Sequence, residues 1–173
     1  MNLNQNHFEL FGLPARFAVD AAALEARYHD LQREVHPDRF AAAPEIERRA
    51  SMQLATRVNE AYQTLKSPLR RAVYILRLRG VDPEFETNTA MPPQFLIEQM
   101  SWRERIEEGS EDPEALVRLR GGLREESAKI YEKLRGQLDE GGDDEAASGT
   151  TRMLMFYEKL DGEIDDKLAE LET

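Results

Sequence analysis

Cysteine is absent from the 173-residue chain. No disulfide, thiolate nucleophile or cysteine-ligated zinc or iron–sulfur centre is therefore available, and a reducing cytoplasm fits. Long apolar runs are missing too: none approaches the roughly 18 residues that suggest a membrane-spanning helix. The opening MNLNQNHFELFGLPARF has no basic segment ahead of an apolar core, so no secretory signal is expected. Nor is it an Arg/Ser-rich, acid-poor leader of the organelle type. Basic charge is in deficit, with 23 Lys and Arg against 34 Asp and Glu and a net charge of −11. A general nucleic-acid binder is disfavoured, because phosphate attraction needs a basic surface. Strand signals are nearly lacking. What remains, 40% hydrophobic and 33% charged, fits one soluble globular domain or two small ones.

The charge that is present is unevenly placed. Residues 1–80 hold 12 Lys/Arg and 9 Asp/Glu, whereas residues 81–173 hold 11 and 25. Gly80, closing LRLRG, stands where a left-handed helix C′ residue belongs. The VDPEFETNTAMPP that follows reads as a linker. The expected organisation is one domain at 1–80, a linker at 81–92 and a second domain at 93–173.

Periodicity is helical almost throughout. Leu24, Tyr28, Leu31 and Val35 share one face of a helix over about 20–35, with Asp20 at its N-cap. Leu54, Val58, Ala61, Tyr62 and Leu65 repeat the pattern over about 44–66, with Pro44 suited to the first turn. A short helix runs from Ser67-Pro68 to Gly80 on Leu69, Val73 and Leu76. Another covers Phe95 to Glu108, opened by Pro92-Pro93. After Asp112-Pro113, a long stripe carries Leu116, Leu119, Leu123, Ile130, Leu134 and Leu138. DEGGDDE at 139–145 reads as a loop. The last helix, roughly 143–171, is expected to bury Met153, Tyr157, Leu160, Ile164, Leu168 and Leu171. The fold class is all-α: a small helical domain, a short linker and a C-terminal three-helix bundle.

One turn stands out. Between the first two long helices lies Val35-His36-Pro37-Asp38-Arg39-Phe40. Pro37 has a fixed φ and no N–H, and it drives His36 out of the helical region. The helix must stop there and present an imidazole and a carboxylate on a loop. Helix punctuation is the plain explanation of such a tripeptide. A metal site is disfavoured, because neither His7 nor His29 stands at zinc-ligand spacing from His36 and Asp38. A hydrolase dyad lacks a nucleophile placed by any motif.

The turn has Phe8-Glu9-Leu10-Phe11-Gly12-Leu13-Pro14 before it and Asn59-Glu60-Ala61-Tyr62-Gln63-Thr64-Leu65 after it. This arrangement resembles the J domain of DnaJ-type co-chaperones, a helical hairpin whose signature is the His-Pro-Asp loop. FELFGLPARF, LEARYHDLQREVHPDRF, VNEAYQTLKSPLRRAVYIL and FLIEQMSWRERIEE together resemble the HscB family, J-type co-chaperones of iron–sulfur cluster assembly. The likeness covers about 7–173 and is weakest at 105–150.

The resemblance implies that His36, Pro37 and Asp38 stimulate ATP hydrolysis by a DnaK-type chaperone, HscA in that system. Arg27, Arg33 and Arg39 flank the loop and would steer it toward an acidic groove, although each can also be read as part of a solvated helix face. His29, Glu25 and Glu34 thin the basic patch, and Val35 stands where an aromatic is common in J domains.

A second feature lies in the helix at 95–108. At about 100° per residue, Phe95, Trp102 and Ile106 fall within roughly 20° of one another, the expected buried stripe. Leu96, Met100 and Ile97 fall near 100°, 140° and 200°, among the acids Glu107, Glu104 and Glu108. Phe156 lies about 80° from the centre of the last helix's stripe. A broad core face would explain these positions; so would a covered binding patch. The HscB resemblance implies the latter, a surface for the cluster scaffold IscU made of Leu96, Ile97, Met100, Glu104, Glu108 and Phe156. Ser101 takes a place where relatives often have an acid.

The expectation is a two-domain adaptor rather than an enzyme, with HscA and IscU as partners. No nucleic acid, membrane, resident metal or cofactor is expected. A monomer is expected, in the cytoplasm of a bacterium, since the family's eukaryotic members usually carry leaders or extra N-terminal cysteines. The alternative is a general DnaJ-class co-chaperone for unfolded substrates. Against it stand the missing Cys-rich and Gly/Phe-rich regions and the acidic second half.

Overall fold

A computed structural model of the chain describes residues 4–83 and 93–172. All regular structure among these residues is helical. The chain divides into two compact units, Met1–Ile75 and Leu76–Thr173. Most of the expected linker at 81–92 lies outside the described residues.

In the first unit, α1 (His7–Phe11) is five residues long and opens with a capping box, the Asn6 side chain and the Glu9 carboxylate bonding each other's backbone N–H. Gly12 ends it at φ 66°. Phe8, Leu10 and Phe11 are buried against the hairpin of α2 (Ala21–Val35) and α3 (Glu45–Lys66). Asp20 caps α2 through bonds from the backbone N–H groups of Ala22 and Ala23. Tyr28 of α2 stacks on Tyr62 of α3 at 3.9 Å and donates to Asn59.

Helix α4 (Pro68–Leu78) runs through the division between the units. Its end is a Schellman motif. Gly80 has φ 86°, its N–H reaches the Arg77 carbonyl, and the Val81 N–H reaches that of Leu76. Arg79 then donates to the Leu138 carbonyl at 3.0 Å and to Asp144 at 2.6 Å, both inside the second unit. Electrostatics within the second unit thus reaches back to the end of α4.

The second unit packs α5 (Pro93–Glu108), α6 (Pro113–Gly136) and α7 (Asp144–Leu171). Asp112 caps α6. Where a loop was expected at 139–145, the helix continues: Gln137–Gly141 forms a π-turn, Gly142 reverses the chain at φ 59°, and Asp143 caps α7. Its two glycines allow the wide turn and the left-handed exit, so an acidic, Gly-rich string reads as loop while still bonding as helix. Leu116, Leu123, Ile130 and Leu134 meet Leu154, Tyr157, Leu160 and Ile164 across the α6–α7 hairpin. Three members of the predicted α7 stripe depart. Met153 and Leu168 are half-buried and Leu171 is 41% exposed. In α6, Leu119 is likewise only half-buried.

Candidate functional site

The His36–Asp38 turn is built by three constraints. His36 ends α2 in a non-helical conformation (φ −59°, ψ 128°), as required before proline. Pro37 then starts a 3-10 turn, Pro37–Phe40, where its missing N–H costs nothing. Buried Ser51 of α3 donates to the Val35 carbonyl at 2.8 Å. That carbonyl is one of those a helix end leaves without an intrahelical partner. The His36 imidazole turns inward on the turn: Nδ1 accepts from the Asp38 N–H at 3.3 Å and lies 3.5 Å from the Asp38 carboxylate. The Asp38 side chain remains 90% exposed. Among the described residues no group of His, Asp and Glu could hold a metal ion.

The flanking arginines are less free than the sequence suggests. Arg27 pairs with Glu34 at 3.6 Å and Arg33 pairs with Asp30. Arg39 donates to the Arg33 carbonyl at 3.2 Å, tying the turn to the last turns of α2. Arg33, His36 and Arg39 line one groove together with His29 and Gln32. Gln32 had carried no signal; its neighbourhood follows from the four-residue step to Tyr28, whose hydroxyl it reaches at 2.7 Å.

The second feature is the outer face of α5. Phe95, Trp102 and Ile106 are buried. Leu96, Ile97 and Met100 are exposed by 50, 69 and 63%, so the off-stripe residues do face solvent. Glu104 and Glu108 continue the row of Leu96 and Met100 at four-residue steps and are exposed, without ion pairs among the described residues. Two apolar turns thus run into two acidic ones. Phe156 is half-buried, edge-on to Phe95 at 5.7 Å and beneath the Arg103 guanidinium at 5.6 Å. It belongs partly to the α5–α7 packing and offers only its remaining edge.

The support beneath α5 is polar as well as apolar. The Tyr157 hydroxyl donates to Glu98 at 2.5 Å, and Trp102 lies edge-on to Tyr157 at 6.2 Å. Burial first, then the bond to Glu98, pushes the Tyr157 hydroxyl far up, so it stays a donor. No described helix is long and apolar enough to cross a membrane.

Comparison with known proteins matches both units. The model of the HSCB C-terminal oligomerisation domain covers residues 91–165. A co-chaperone protein HscB homolog from Azoarcus sp. (strain BH72) is 52% identical over 175 residues, spanning 100% of this chain and 99% of the relative. That of Aromatoleum aromaticum is 53% identical over 175 residues, with the same coverage of 100% and 99%. Among solved structures, chaperone HscB from Vibrio cholerae aligns with a TM-score of 0.85 at 40% identity, over 96% of this chain and 99% of that one. Human co-chaperone protein HscB aligns with a TM-score of 0.90 at 30% identity, over 96% and 84%. With about half its residues shared along the full length of such relatives, the chain belongs to the HscB family of co-chaperones.

Proposed function

We propose that this co-chaperone stimulates the ATPase of the DnaK-type chaperone HscA through its His36–Asp38 turn. On α5 it holds the iron–sulfur scaffold IscU and delivers it to the same chaperone, assisting maturation of iron–sulfur proteins in a bacterial cytoplasm. The observation that carries this reading is the Asp38 carboxylate, 90% exposed on a turn fixed by Pro37. A carboxylate so placed makes a charge-assisted hydrogen bond to an arginine of the partner. If that bond forms only in the hydrolysis-competent chaperone, it shifts the equilibrium toward that state without any chemistry on the co-chaperone. Arg27, Arg33 and Arg39 contribute to the approach, the first two weakened by their pairing with Glu34 and Asp30. On α5, Leu96 and Met100 act as apolar anchors with Ile97 and the edge of Phe156, while Glu104 and Glu108 orient the scaffold. One chain holding both ligands raises the concentration of each at the other.

Steady-state ATPase of HscA with IscU present tests the reading. The protein raises the rate, and His36→Ala does not. Leu96→Ala with Met100→Ala keeps its fold by circular dichroism and loses about ten-fold or more in scaffold affinity, the scale of a lost anchor pair. Unfolding of that double variant would place both side chains in the core. Stimulation by a broad set of unfolded peptides in place of IscU would instead favour a general DnaJ-class co-chaperone.

A further inference from the structure

In the first unit, two large apolar side chains of α3, Ile46 and Met52, are exposed and have no role in the hairpin core. Ser51 is buried against the Val35 carbonyl, so the next residue, Met52, stands level with the end of α2, and it is 60% exposed. Seven residues along α3 and on the same face, Asn59 accepts from the Tyr28 hydroxyl at 2.9 Å, and that hydroxyl accepts from Gln32 at 2.7 Å. Met52 therefore faces the same side of the hairpin as Gln32, which lines a groove together with Arg33, His36 and Arg39. Arg48, one turn before Met52 on this face, is exposed and makes no ion pair among the described residues.

We propose that Met52, flanked by Arg48, is an anchor of the chaperone-docking face and receives an apolar side chain that stands beside acidic residues on the partner ATPase. The inference rests on the reading that the His36–Asp38 turn engages that chaperone. Position and charge together select this occupant. Met52 stands at the level of the α2 end and on the side of the hairpin where Gln32 and His36 line the groove, so a partner that reaches Asp38 over this side meets it. Asp30 offsets Arg33, but Arg39 and Arg48 leave the rim positive, which favours an acidic surround on the partner. Methionine suits the place because its flexible thioether moulds to an irregular apolar surface.

The test is a titration of full-length protein into HscA, read as steady-state ATPase, with Met52→Lys, Met52→Gln and Arg48→Glu beside the parent and His36→Ala. Met52→Lys raises the half-maximal concentration about ten-fold, the effect of one lost anchor. Met52→Gln and Arg48→Glu move it in the same direction, and all three approach the parent's maximal rate. His36→Ala differs in kind, since it lowers the maximum. Parent-like curves for the folded Met52 variants, beside an inactive His36→Ala, overturn this inference and leave the function of the turn standing. Parent protein that fails to stimulate overturns both. Self-association of the parent that Met52→Lys abolishes, with unchanged ATPase titrations, assigns Met52 to a second copy of the chain and also overturns the proposal.

Discussion

His7 and His36 put one type of side chain to opposite uses. His36 is more than half exposed and, among the described residues, bonds only within its own turn. His7 is half-buried, stacked on Tyr74 at 4.3 Å, with its backbone N–H donating to the Tyr74 hydroxyl and its buried Nδ1 unpartnered. Burial, and then the nearby Arg57 guanidinium, hold the His7 imidazole below its ordinary value of 6.5. The folded chain thus favours neutral His7, and the unfolded chain takes up the proton first. Stability present above about pH 6.5 is lost as the pH falls toward the lower folded value. The urea midpoint, followed by circular dichroism, accordingly drops between about pH 7.5 and 5. His7→Phe, which keeps an aromatic ring against Tyr74, flattens that drop; an unchanged slope in the variant would assign the loss to other groups. Asp161 does not interfere in this window. Burial pushes its carboxyl up, but hydrogen bonds from Arg124 and Arg120 outweigh that and hold it below its ordinary value of 3.8. Its contribution is present above that value and is lost only in stronger acid.

Among the elements, the junction of α2 with its 3-10 turn depends on a residue far along the chain. The Arg39 N–H, which would close the next α-helical bond to Val35, goes instead to the His36 carbonyl, and Ser51 supplies the donor Val35 would otherwise lack. Ser51→Ala leaves a buried carbonyl unsatisfied, for a loss of about 1–3 kcal/mol in urea unfolding. On the proposed function it also lowers maximal ATPase stimulation, because His36 loses its fixed base; full stimulation at reduced stability would separate the two roles. Nothing local to the turn announces Ser51 in the sequence. The long helices, by contrast, were legible: period and caps set α2 and α6 to within a residue or two, and Gly80 marked the end of α4. Angle alone also placed Leu96, Ile97 and Met100 off the buried stripe, but it left a broad core face open, and their exposure is what the structure adds. Helix α1 was not legible, since five residues are too few for a period, although Asn6 and Glu9 carry its capping box. The half-burial of Phe156 depends on Phe95 and Arg103 from another helix, and the pairing of Arg27 with Glu34 on side chains meeting across two turns. Periodicity reports which face is buried and says little about what reaches across.

For the molecule as a whole, charge and packing are both divided. Residues 76–173 hold 25 of the 34 acidic side chains, so the unit proposed to bind the scaffold carries nearly all the negative field. Within it, α6 and α7 grip each other far more extensively than either grips α5. Arg120 and Arg124 converge on Asp161 across that hairpin, with Arg120 also reaching Asp165 at 2.8 Å. Helix α5 is held by one apolar stripe, the bond from Tyr157 to Glu98 and an exposed pair between Lys167 and Glu107. The hairpin is then the durable part and α5 the part that opens first. Amide hydrogen exchange resolves the two: α5 exchanges through openings of lower free energy than the interior of α6 and α7, and equal protection throughout would contradict the division. On the proposed reading, a scaffold protein laid across Leu96 and Met100 binds only the closed helix. Its capture is therefore also a clasp, slowing exchange along all of α5 and raising the melting temperature of the acidic unit in proportion to the logarithm of scaffold concentration.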